Sequence, residues 1–296
     1  MSAALARRES GPELMVDGEF AFTEADFRKI AAMLHGDAGI ALPEGKATLV
    51  YSRLAKRLRA LGLSSFRDYC ALVADACGID ERQRMLSALT TNVTRFFREP
   101  HHFEHLRTAV LPPLIEKARA GGRVRLWSAA CSTGQEPYSM AMTVLGIAPD
   151  APDLDVKILA TDIDPAVVAE GAAGFYRETA LSGLSRDLGA RWFETHADRG
   201  EASLRAGEAL RTLVSFRELN LIADWPMSGR FDAIFCRNVA IYFEDATQER
   251  VWSRLAARLQ PGGMLYIGHS ERITGAAAAL LAPVGVTAYR LTGAVQ

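Results

Sequence analysis

A change of hydrophobic period at residues 121–122, a Gly-Gly pair, constrains the fold of this 296-residue chain more than any other feature. Before this pair, apolar residues recur at helical spacing and no run resembles a convincing strand. After it, short apolar runs at 124–127, 156–160, 231–236 and 264–267 alternate with helical segments. Strands that alternate with helices are typical of βαβ units and a parallel sheet. The sequence therefore predicts a small all-helical domain followed by a doubly wound α/β domain.

The predicted domain boundaries follow from this change. We expect a helical domain over residues 1–90, a linker over 91–122 and the α/β domain over 123–296. The stretch 191–216 does not fit the alternation, because it holds short β-like runs separated by glycines. We interpret it as a small antiparallel β insertion, and a meandering connection fits these residues nearly as well.

Composition excludes several classes of protein. Lys and Arg total 34 and Asp and Glu total 35, so the chain is not a generally basic nucleic-acid-binding protein, although a local basic site remains possible. The four cysteines form no CxxC pair and no Cys/His cluster with zinc spacing, which predicts no metal site and a reducing compartment. The first residues lack the apolar core of a signal peptide, and no apolar stretch is long enough to span a bilayer. We expect a cytoplasmic monomer without direct membrane insertion.

The turn after the first predicted strand, residues 128–137, is a candidate ligand site. Its small side chains would let a ligand approach the backbone at Gly134 and Gln135, and Pro137 favours a helix start there. The turn contains neither GxGxxG nor Gly-Lys-Ser/Thr, so it is not built to hold a diphosphate or triphosphate. A nucleoside ligand without phosphates remains attractive. A purely structural βα turn explains the same residues equally well.

Polar residues follow two further strands. An acid at the end of the second strand, Asp162, can accept both hydroxyls of a ribose, whereas Asp164 precedes Pro165 and resembles a helix cap. For Asp162 a second capping role is the alternative. Arg237 and Asn238 come directly after the apolar strand at 231–236, where a charged pair is unusual for mere solvation.

Two segments before the sheet admit two interpretations each. Residues 90–100 could cap a helix with Phe96 and Phe97 in the core, which the residues alone favour, or could place polar groups over the sheet edge. The helix predicted at 46–61 has five basic residues and no acid between Lys46 and Arg59. This pattern fits either a solvated helix face or a docking face for an acidic partner.

Five segments together resemble the CheR family of chemotaxis receptor methyltransferases. They are TTNVTRFFREPHHFEHL at 90–106, RLWSAACSTGQEPYSMAM at 125–142, ATDIDPAVV at 160–168, FDAIFCRNVAIYF at 231–243 and LQPGGMLYIGHSE at 259–271. The resemblance implies a Rossmann-like class I methyltransferase sheet, S-adenosylmethionine as cofactor with S-adenosylhomocysteine as product, and methylation of glutamate side chains on chemoreceptors. The cofactor contacts that it implies are Asn92, Thr94, Arg98, Gly134, Gln135, Asp162, Asn220, Leu221, Arg237 and Asn238. Gln135 and Ala240 depart from the residues common in the family, so a charged contact at position 135 is in doubt.

The chemistry that the resemblance implies needs no general base, because a glutamate side chain is already ionised near neutral pH. The task is to hold a carboxylate oxygen at attack distance from the methyl carbon, and Arg98, Arg237 and Tyr242 are candidates to orient that carboxylate. Chemoreceptor methylation regions are acidic helices, so Lys46, Arg53, Lys56 and Arg57 become candidates to bind the receptor. A methyltransferase for another protein or a small molecule, and a non-catalytic module that binds S-adenosylmethionine, remain the alternatives.

Overall fold

The computed structural model describes residues 13–198 and 201–293. Residue contacts divide the chain into two compact units, Met1–Thr90 and Thr91–Gln296. None of the helices in the described part of the chain combines the length and the apolar character needed to span a membrane.

The first unit is a small helical bundle whose helix ends follow from the sequence. Thr23 begins the first helix with a capping box, in which its side chain accepts from the Asp26 N–H and Asp26 accepts in return. Gly62 ends the second helix in the left-handed conformation. Buried aromatic and aliphatic side chains, Phe22 and Phe66 among them, form the core. The helices are α1 (Glu24–Ala38), α2 (Ala47–Leu61), α3 (Phe66–Ala74) and α4 (Ile79–Leu89), with 3₁₀ turns at Glu44–Lys46 and Ala76–Gly78.

One feature of this unit was not predicted. Strands β1 (Leu14–Val16) and β2 (Phe22–Thr23) pair in an antiparallel manner before α1. Strands of two or three residues are too short to show an alternating pattern, so the sequence gave no strand signal here.

The second unit is built on a seven-stranded mixed sheet with helices packed against it, which confirms the predicted α/β class. The strands are β3 (Val124–Ala129), β4 (Val156–Asp162), β8 (Val214–Glu218), β9 (Phe231–Cys236), β10 (Leu259–Tyr266), β11 (Leu281–Gly285) and β12 (Ala288–Leu291), in the order β11-β12-β10-β9-β3-β4-β8. Strands β10, β9, β3, β4 and β8 are parallel neighbours. Strand β12 pairs antiparallel with both β10 and β11, so the sheet is mixed at this edge, where the sequence showed no strands.

The helices of the second unit precede and connect these strands. They are α5 (Pro100–His105), α6 (Leu111–Arg119), α7 (Gln135–Ile147), α8 (Pro165–Ala173), α9 (Arg186–Trp192), α10 (Glu208–Leu213) and α11 (Asp245–Ala257). A π-helical turn, Leu106–Val110, joins α5 to α6, and 3₁₀ turns occur at Ala151–Asp153, Glu178–Leu181, Ala240–Tyr242 and Gly275–Ala279.

Residues 91–122, predicted as a linker, belong to the second unit. Phe103, Leu106 and Leu111 from this stretch are at most 3% exposed and lie in the same hydrophobic cluster as the sheet. These side chains pack as part of the unit rather than form an exposed connection, because burying them removes apolar surface from water.

The predicted antiparallel insertion is present, but its bounds differ. Strands β5 (Phe175–Arg177), β6 (Phe193–Asp198) and β7 (Glu201–Ala206) form a three-stranded antiparallel sheet in the order β5-β7-β6. The last residues of the predicted insertion, 214–216, instead belong to β8, a parallel neighbour of β4 in the main sheet. Alternating apolar residues fit an edge strand of either sheet, so the pattern alone could not assign this run.

Candidate active site

Four parallel strands end at one edge of the main sheet, and most of the predicted cofactor residues follow them. In the sheet, β3 lies between β4 and β9. The chain proceeds from β3 to β4 and β8 on one side, and then crosses to β9 on the other side of β3. Such a switch point opens a crevice at the carboxyl ends of the strands, where doubly wound sheets bind their ligands. The residues at this edge are Gly134 and Gln135 after β3, Asp162 at the end of β4, Asn220 and Leu221 after β8, and Arg237, Asn238 and Tyr242 after β9.

The turn after β3 has a strained backbone that only small residues tolerate. Ala130, Ser132 and Gly134 have positive φ angles of 63°, 49° and 96°. A Cβ on Gly134 would lie 2.8 Å from the Tyr176 hydroxyl and 3.1 Å from Gly171 Cα, so glycine is required there. Helix α7 begins directly afterwards with the buried Gln135, whose Oε1 accepts a hydrogen bond from Thr133 Oγ1 at 2.8 Å. The turn therefore brings backbone and a helix N-terminus to the crevice.

Asp162 and Asp164 have different environments, and only Asp164 caps a helix. Asp164 caps α8, since its Oδ1 accepts from the Ala166 N–H at 3.0 Å. Asp162 accepts from the N–H groups of Ser132 at 2.8 Å and Asp164 at 3.1 Å, one at each carboxylate oxygen. Burial raises the pKa of Asp162, and these N–H bonds oppose that shift. An immobilised carboxylate at this strand end fits the ribose contact expected of Asp162.

The loop at residues 92–99 is fixed over the sheet edge at several points. Asn92 is held twice, because its carbonyl accepts from Ser132 Oγ at 3.1 Å and its Nδ2 donates to Asp164 Oδ2 at 3.3 Å. The Phe97 N–H donates to Ser139 Oγ at 2.9 Å. The half-buried Thr94 lies on the same loop. Both interpretations of this segment thus hold in part, since Phe96 is buried in the core.

Arg98 and Arg237 belong to a charge network around this loop. The Arg237 side chain is 2% exposed, and its Nη1 donates to Glu136 Oε2 at 2.9 Å. Its Nη2 donates to the Arg98 carbonyl and lies 3.1 Å from Glu99 Oε2. Arg98 itself donates from Nη1 to the Val93 carbonyl at 3.1 Å. The predicted role of Arg237 in orienting a substrate carboxylate does not fit this arrangement, because its terminal nitrogens already bind groups of the chain.

The two carboxylates of this network were not recognised from the sequence. Burial raises the pKa of Glu136, opposed by the charge of Arg237 and a hydrogen bond from Ser128. Burial would also raise the pKa of Glu99, but the hydrogen bond from His269 and the charge of Arg237 outweigh it and hold that pKa at about 2. Each acid adjoins a predicted site residue in the motifs given above, since Glu136 follows Gln135 and Glu99 follows Arg98. This adjacency alone does not mark an acid as part of a site.

Glu271 is a third carboxylate that the sequence did not single out. It is 5% exposed and accepts four backbone N–H groups, from Asn238 and Gly268 at Oε2 and from Val239 and Ala240 at Oε1. These bonds hold Asn238 in the left-handed conformation at φ 58°. Glu271 therefore ties the ends of β9 and β10 together and sets the backbone of a predicted cofactor residue.

The remaining predicted residues of this unit lie at the same edge. Asn220 forms a turn in which its Oδ1 accepts from the Ile222 N–H at 3.0 Å. The buried Leu221 is fixed through its carbonyl by Arg254 at 3.0 Å. Tyr242 is half-buried at the end of the 3₁₀ turn after β9, beside the 46% exposed Ile241. That Tyr242 and Arg98 orient a substrate carboxylate stays a prediction.

The basic face of α2, in the first unit, is smaller than the sequence suggested. Arg57 forms a two-pronged pair with Glu81, at 2.8 Å from Nε and 2.5 Å from Nη2. Arg53 Nη1 donates to three carbonyls at the end of α4, at 3.0 to 3.2 Å. The prediction that both arginines bind a partner is corrected, because their guanidinium groups hold α2 to α4. Lys46 and Lys56 are exposed.

Comparison with known proteins identifies the family of both units. Residues 92–289 match the family model described as CheR methyltransferase, SAM binding domain, and residues 25–90 match the one described as CheR methyltransferase, all-alpha domain.

Curated relatives agree over nearly the whole chain. A probable chemotaxis protein methyltransferase of Rhizobium etli is 55% identical over 88% of this chain and 97% of its own. Chemotaxis protein methyltransferase 2 of Pseudomonas aeruginosa is 43% identical over 92% and 94%, and the chemotaxis protein methyltransferase of Escherichia coli is 39% identical over 93% of each chain. Because the two family models match most of the chain and the relatives are matched over almost their whole length, the chain belongs to the CheR family of S-adenosylmethionine-dependent methyltransferases.

Proposed function

We propose that this methyltransferase transfers a methyl group from S-adenosylmethionine to glutamate side-chain carboxylates of chemoreceptors, forming glutamate methyl esters. The observation that carries the proposal is the strand-end crevice, in which the buried Asp162 and the glycine turn at Gly134 suit a nucleoside without phosphates. The relatives named as chemotaxis protein methyltransferases supply the biological setting.

The residues present fit the cofactor. A Cβ at Gly134 would close the turn, and Asp162 offers an immobilised carboxylate for two ribose hydroxyls. When bound, S-adenosylmethionine supplies a methyl carbon on a sulfonium; a carboxylate oxygen bonds to that carbon, the C–S bond breaks and its electron pair stays on sulfur. No proton moves in this step. The residues that we expect to hold the cofactor are Asn92, Thr94, Arg98, Gly134, Gln135, Asp162, Asn220, Leu221 and Asn238.

Arg237 has a positioning role in this proposal. By binding Glu136 and Glu99 and by donating to the Arg98 carbonyl, it fixes the loop that carries Asn92, Thr94 and Arg98. Fixing the loop before the cofactor binds lowers the entropy cost of forming the site. Arg98 and Tyr242 are left to orient the glutamate carboxylate, and a weak contact suits this role, since a tight ion pair would stabilise the ground state.

For the receptor, Lys46, directly before α2, and Lys56, on α2, are exposed basic groups that can face an acidic helix. Charges of this kind act mainly on the rate of encounter and are screened by salt. A cytoplasmic location accompanies the proposal and is supported by the four cysteines, all of them free within the described residues. That the protein is a monomer and binds no nucleic acid stays a prediction.

The first experiment incubates the enzyme with methyl-labelled cofactor and candidate receptors. We expect label on receptor glutamates that mild base releases as methanol, as carboxyl methyl esters do. Label that resists base would indicate a methyltransferase for another group, and absence of transfer despite cofactor binding would indicate the non-catalytic module.

Calorimetry with S-adenosylmethionine tests the cofactor site. We expect Asp162→Asn, which keeps the side-chain volume, to weaken binding about tenfold or more, because ribose contacts to a charged acceptor are each worth about 1.5–3 kcal/mol. Asp155→Ala is the matched control: Asp155 precedes the same strand at its other end and pairs with Arg125. Undiminished affinity of Asp162→Asn would refute the ribose assignment.

Receptor docking is tested with the double variant Lys46→Glu, Lys56→Glu. At low salt the methylation rate of this variant should be several-fold below that of the wild type. At high salt the difference between the two rates should shrink, because salt screens the charges. Lys29→Glu, an exposed lysine on α1 of the same unit, should leave the rate unchanged. Equal rates for the double variant and wild type at low salt would exclude this face of α2.

A further inference from the structure

Glu99, His101 and His102 form a cluster at the start of α5 whose chemistry the proposed function does not use. One donor atom from each side chain lies within 4.8 Å of the others. His102 is fully buried, whereas His101 is exposed and its ring lies 4.2 Å from the His102 ring, centroid to centroid. We call these three residues the α5 cluster.

The contacts of His102 favour one tautomer of its ring. Its Nε2 lies 3.2 Å from the Val286 carbonyl oxygen and 2.8 Å from Thr287 Oγ1. The carbonyl oxygen can only accept, so a hydrogen on Nε2 satisfies it and leaves a lone pair on Nδ1, and the Thr287 hydroxyl can pair with Nε2 in either tautomer. A histidine that donates one ring N–H to a backbone carbonyl has the tautomer and orientation of a metal ligand.

That lone pair faces another acceptor. His102 Nδ1 lies 3.5 Å from Glu99 Oε2 and has no hydrogen-bond partner within the described residues, whereas Glu99 Oε2 is paired with Arg237 Nη2 at 3.1 Å. Arg237 offsets the charge of Glu99, but the buried Nδ1 lone pair still faces a carboxylate oxygen, and a positive ion between the two would remove that repulsion. Two ligands of a tetrahedral zinc ion, each about 2.0–2.2 Å from the metal, are about 3.4 Å apart, close to the separation seen here.

The surroundings of the cluster suit a divalent ion. Glu99 Oε1 accepts from His269 Nδ1 at 3.0 Å, an outer hydrogen bond of the kind that orients carboxylate ligands. The charge of Arg237, the nearest cation to Glu99, is countered by Glu136 at 2.9 Å. With His101 as the third ligand, solvent is available for a fourth position.

We propose that Glu99, His101 and His102 bind a zinc ion, and that its binding slows methyl transfer. The ion would take up the Glu99 oxygen that lies 3.1 Å from Arg237 Nη2. Arg237 in turn holds the Arg98 carbonyl, so the loop at 92–99 would lose part of its support when zinc is bound. Zinc binding itself is independent of the proposed substrate, so the two proposals can fail separately.

The binding test uses untagged, full-length protein without cofactor, titrated with zinc chloride in competition with a chromophoric zinc chelator. We expect one zinc ion per chain, bound in the micromolar range or more tightly. His101→Ala and His102→Gln should each weaken binding by about tenfold or more, as loss of a ligand does. The Gln side chain keeps an N–H that can donate to the Val286 carbonyl, so the second variant should fold. Circular dichroism of His102→Gln checks that its secondary structure is unchanged.

Two matched controls separate this site from other zinc ligands. His196→Ala removes an exposed histidine of the small antiparallel sheet, and Cys77→Ser removes the exposed cysteine. Neither should change the affinity. Absence of saturable zinc binding, as expected if only a water molecule bridges the two acceptors, would overturn the proposal, and so would an affinity that His101→Ala leaves unchanged. Cobalt substitution gives a second readout, because a tetrahedral site with these ligands produces visible absorption that His101→Ala should abolish.

The activity test compares methyl transfer with and without saturating zinc. We expect zinc to lower the rate of the wild-type enzyme several-fold and to leave His101→Ala nearly unaffected, with a chelator restoring the wild-type rate. An unchanged wild-type rate at full zinc occupancy would refute the coupling to Arg237, and equal inhibition of both enzymes would assign the inhibition to another site.

Discussion

Replacement of Glu271 by glutamine tests how the carboxyl edge of the sheet is held together. The carboxylate accepts N–H groups from Asn238, Val239, Ala240 and Gly268 at 2.5 to 2.9 Å. In Glu271→Gln one oxygen keeps two of these bonds, while the amide nitrogen faces the other two N–H groups as a fellow donor. Gly268 leaves little room for adjustment, because a Cβ there would lie 2.4 Å from Asn238 Nδ2.

The expected loss of stability follows from counting these bonds. Two buried N–H groups lose their acceptor, at about 1–3 kcal/mol each, and the other two lose the advantage of a charged acceptor. We expect the free energy of unfolding to fall by about 3–6 kcal/mol, a large fraction of the roughly 5–15 kcal/mol typical of a domain. Because Asn238 is a predicted cofactor residue, affinity for S-adenosylmethionine should fall as well.

Urea unfolding followed by tryptophan fluorescence measures this change in the second unit alone. All four tryptophans lie after residue 91, and Trp127 and Trp252 are fully buried. Glu116→Gln is the control, since that side chain is 74% exposed and pairs with Arg119 on the same helix. A destabilisation below about 1 kcal/mol for Glu271→Gln would refute the reasoning, because it would mean that the four N–H groups do not depend on the carboxylate.

Three further predictions concern other parts of the structure. Arg57→Met should destabilise the first unit by about 2–4 kcal/mol in urea unfolding followed by circular dichroism, because it removes the cation hydrogen-bonded to the buried Glu81 carboxylate and leaves it the exposed Arg84 at 3.8 Å. Arg59→Met, which breaks the exposed pair between α2 and Glu19, should not. The folded-state pKa of Glu99, about 2, lies below its ordinary value of 4.5, so ionised Glu99 adds about 3 kcal/mol to the stability above pH 4.5, and this is lost as the pH falls toward 2. In Glu99→Gln the free energy of unfolding should therefore depend less on pH in that window, and an unchanged pH dependence would contradict this pKa. Gly134→Ala, directly before α7, should lower the free energy of unfolding by about 2–4 kcal/mol and weaken cofactor binding in calorimetry. Gly146→Ala, within α7 and with open space around it among the described residues, should change neither quantity.

The sequence predicted the fold well where a long-range period existed. The helix predicted at 46–61 is α2, Ala47–Leu61, and the four predicted strands all lie in the main sheet. The errors fall on short or edge elements. The hairpin of β1 and β2 and the antiparallel β11 and β12 have too few residues or too mixed a pattern to be told from loops.

Prediction of the site succeeded for position and failed for the partners of charged groups. Asp162 and Asn238 follow strands, so the topology of the sheet brings them to one edge whatever their side chains bind. Arg237 also reaches that edge, yet its partners are Glu136, 101 residues earlier, and the Arg98 carbonyl, 139 residues earlier. A single sequence holds no signal that pairs residues so far apart.

The basic residues of the α2 face divide into arginines that bind other parts of the first unit and lysines that are exposed to solvent. A guanidinium group can bind a carboxylate in two places at once or several carbonyls together, so arginines near a helix interface are readily taken up by the fold. Arg57 and Arg53 are used in this way, whereas Lys46 and Lys56 extend into solvent. Reversing the charge of the arginines would therefore alter the stability of the first unit together with any docking, and only the lysine variants can report on receptor binding by itself.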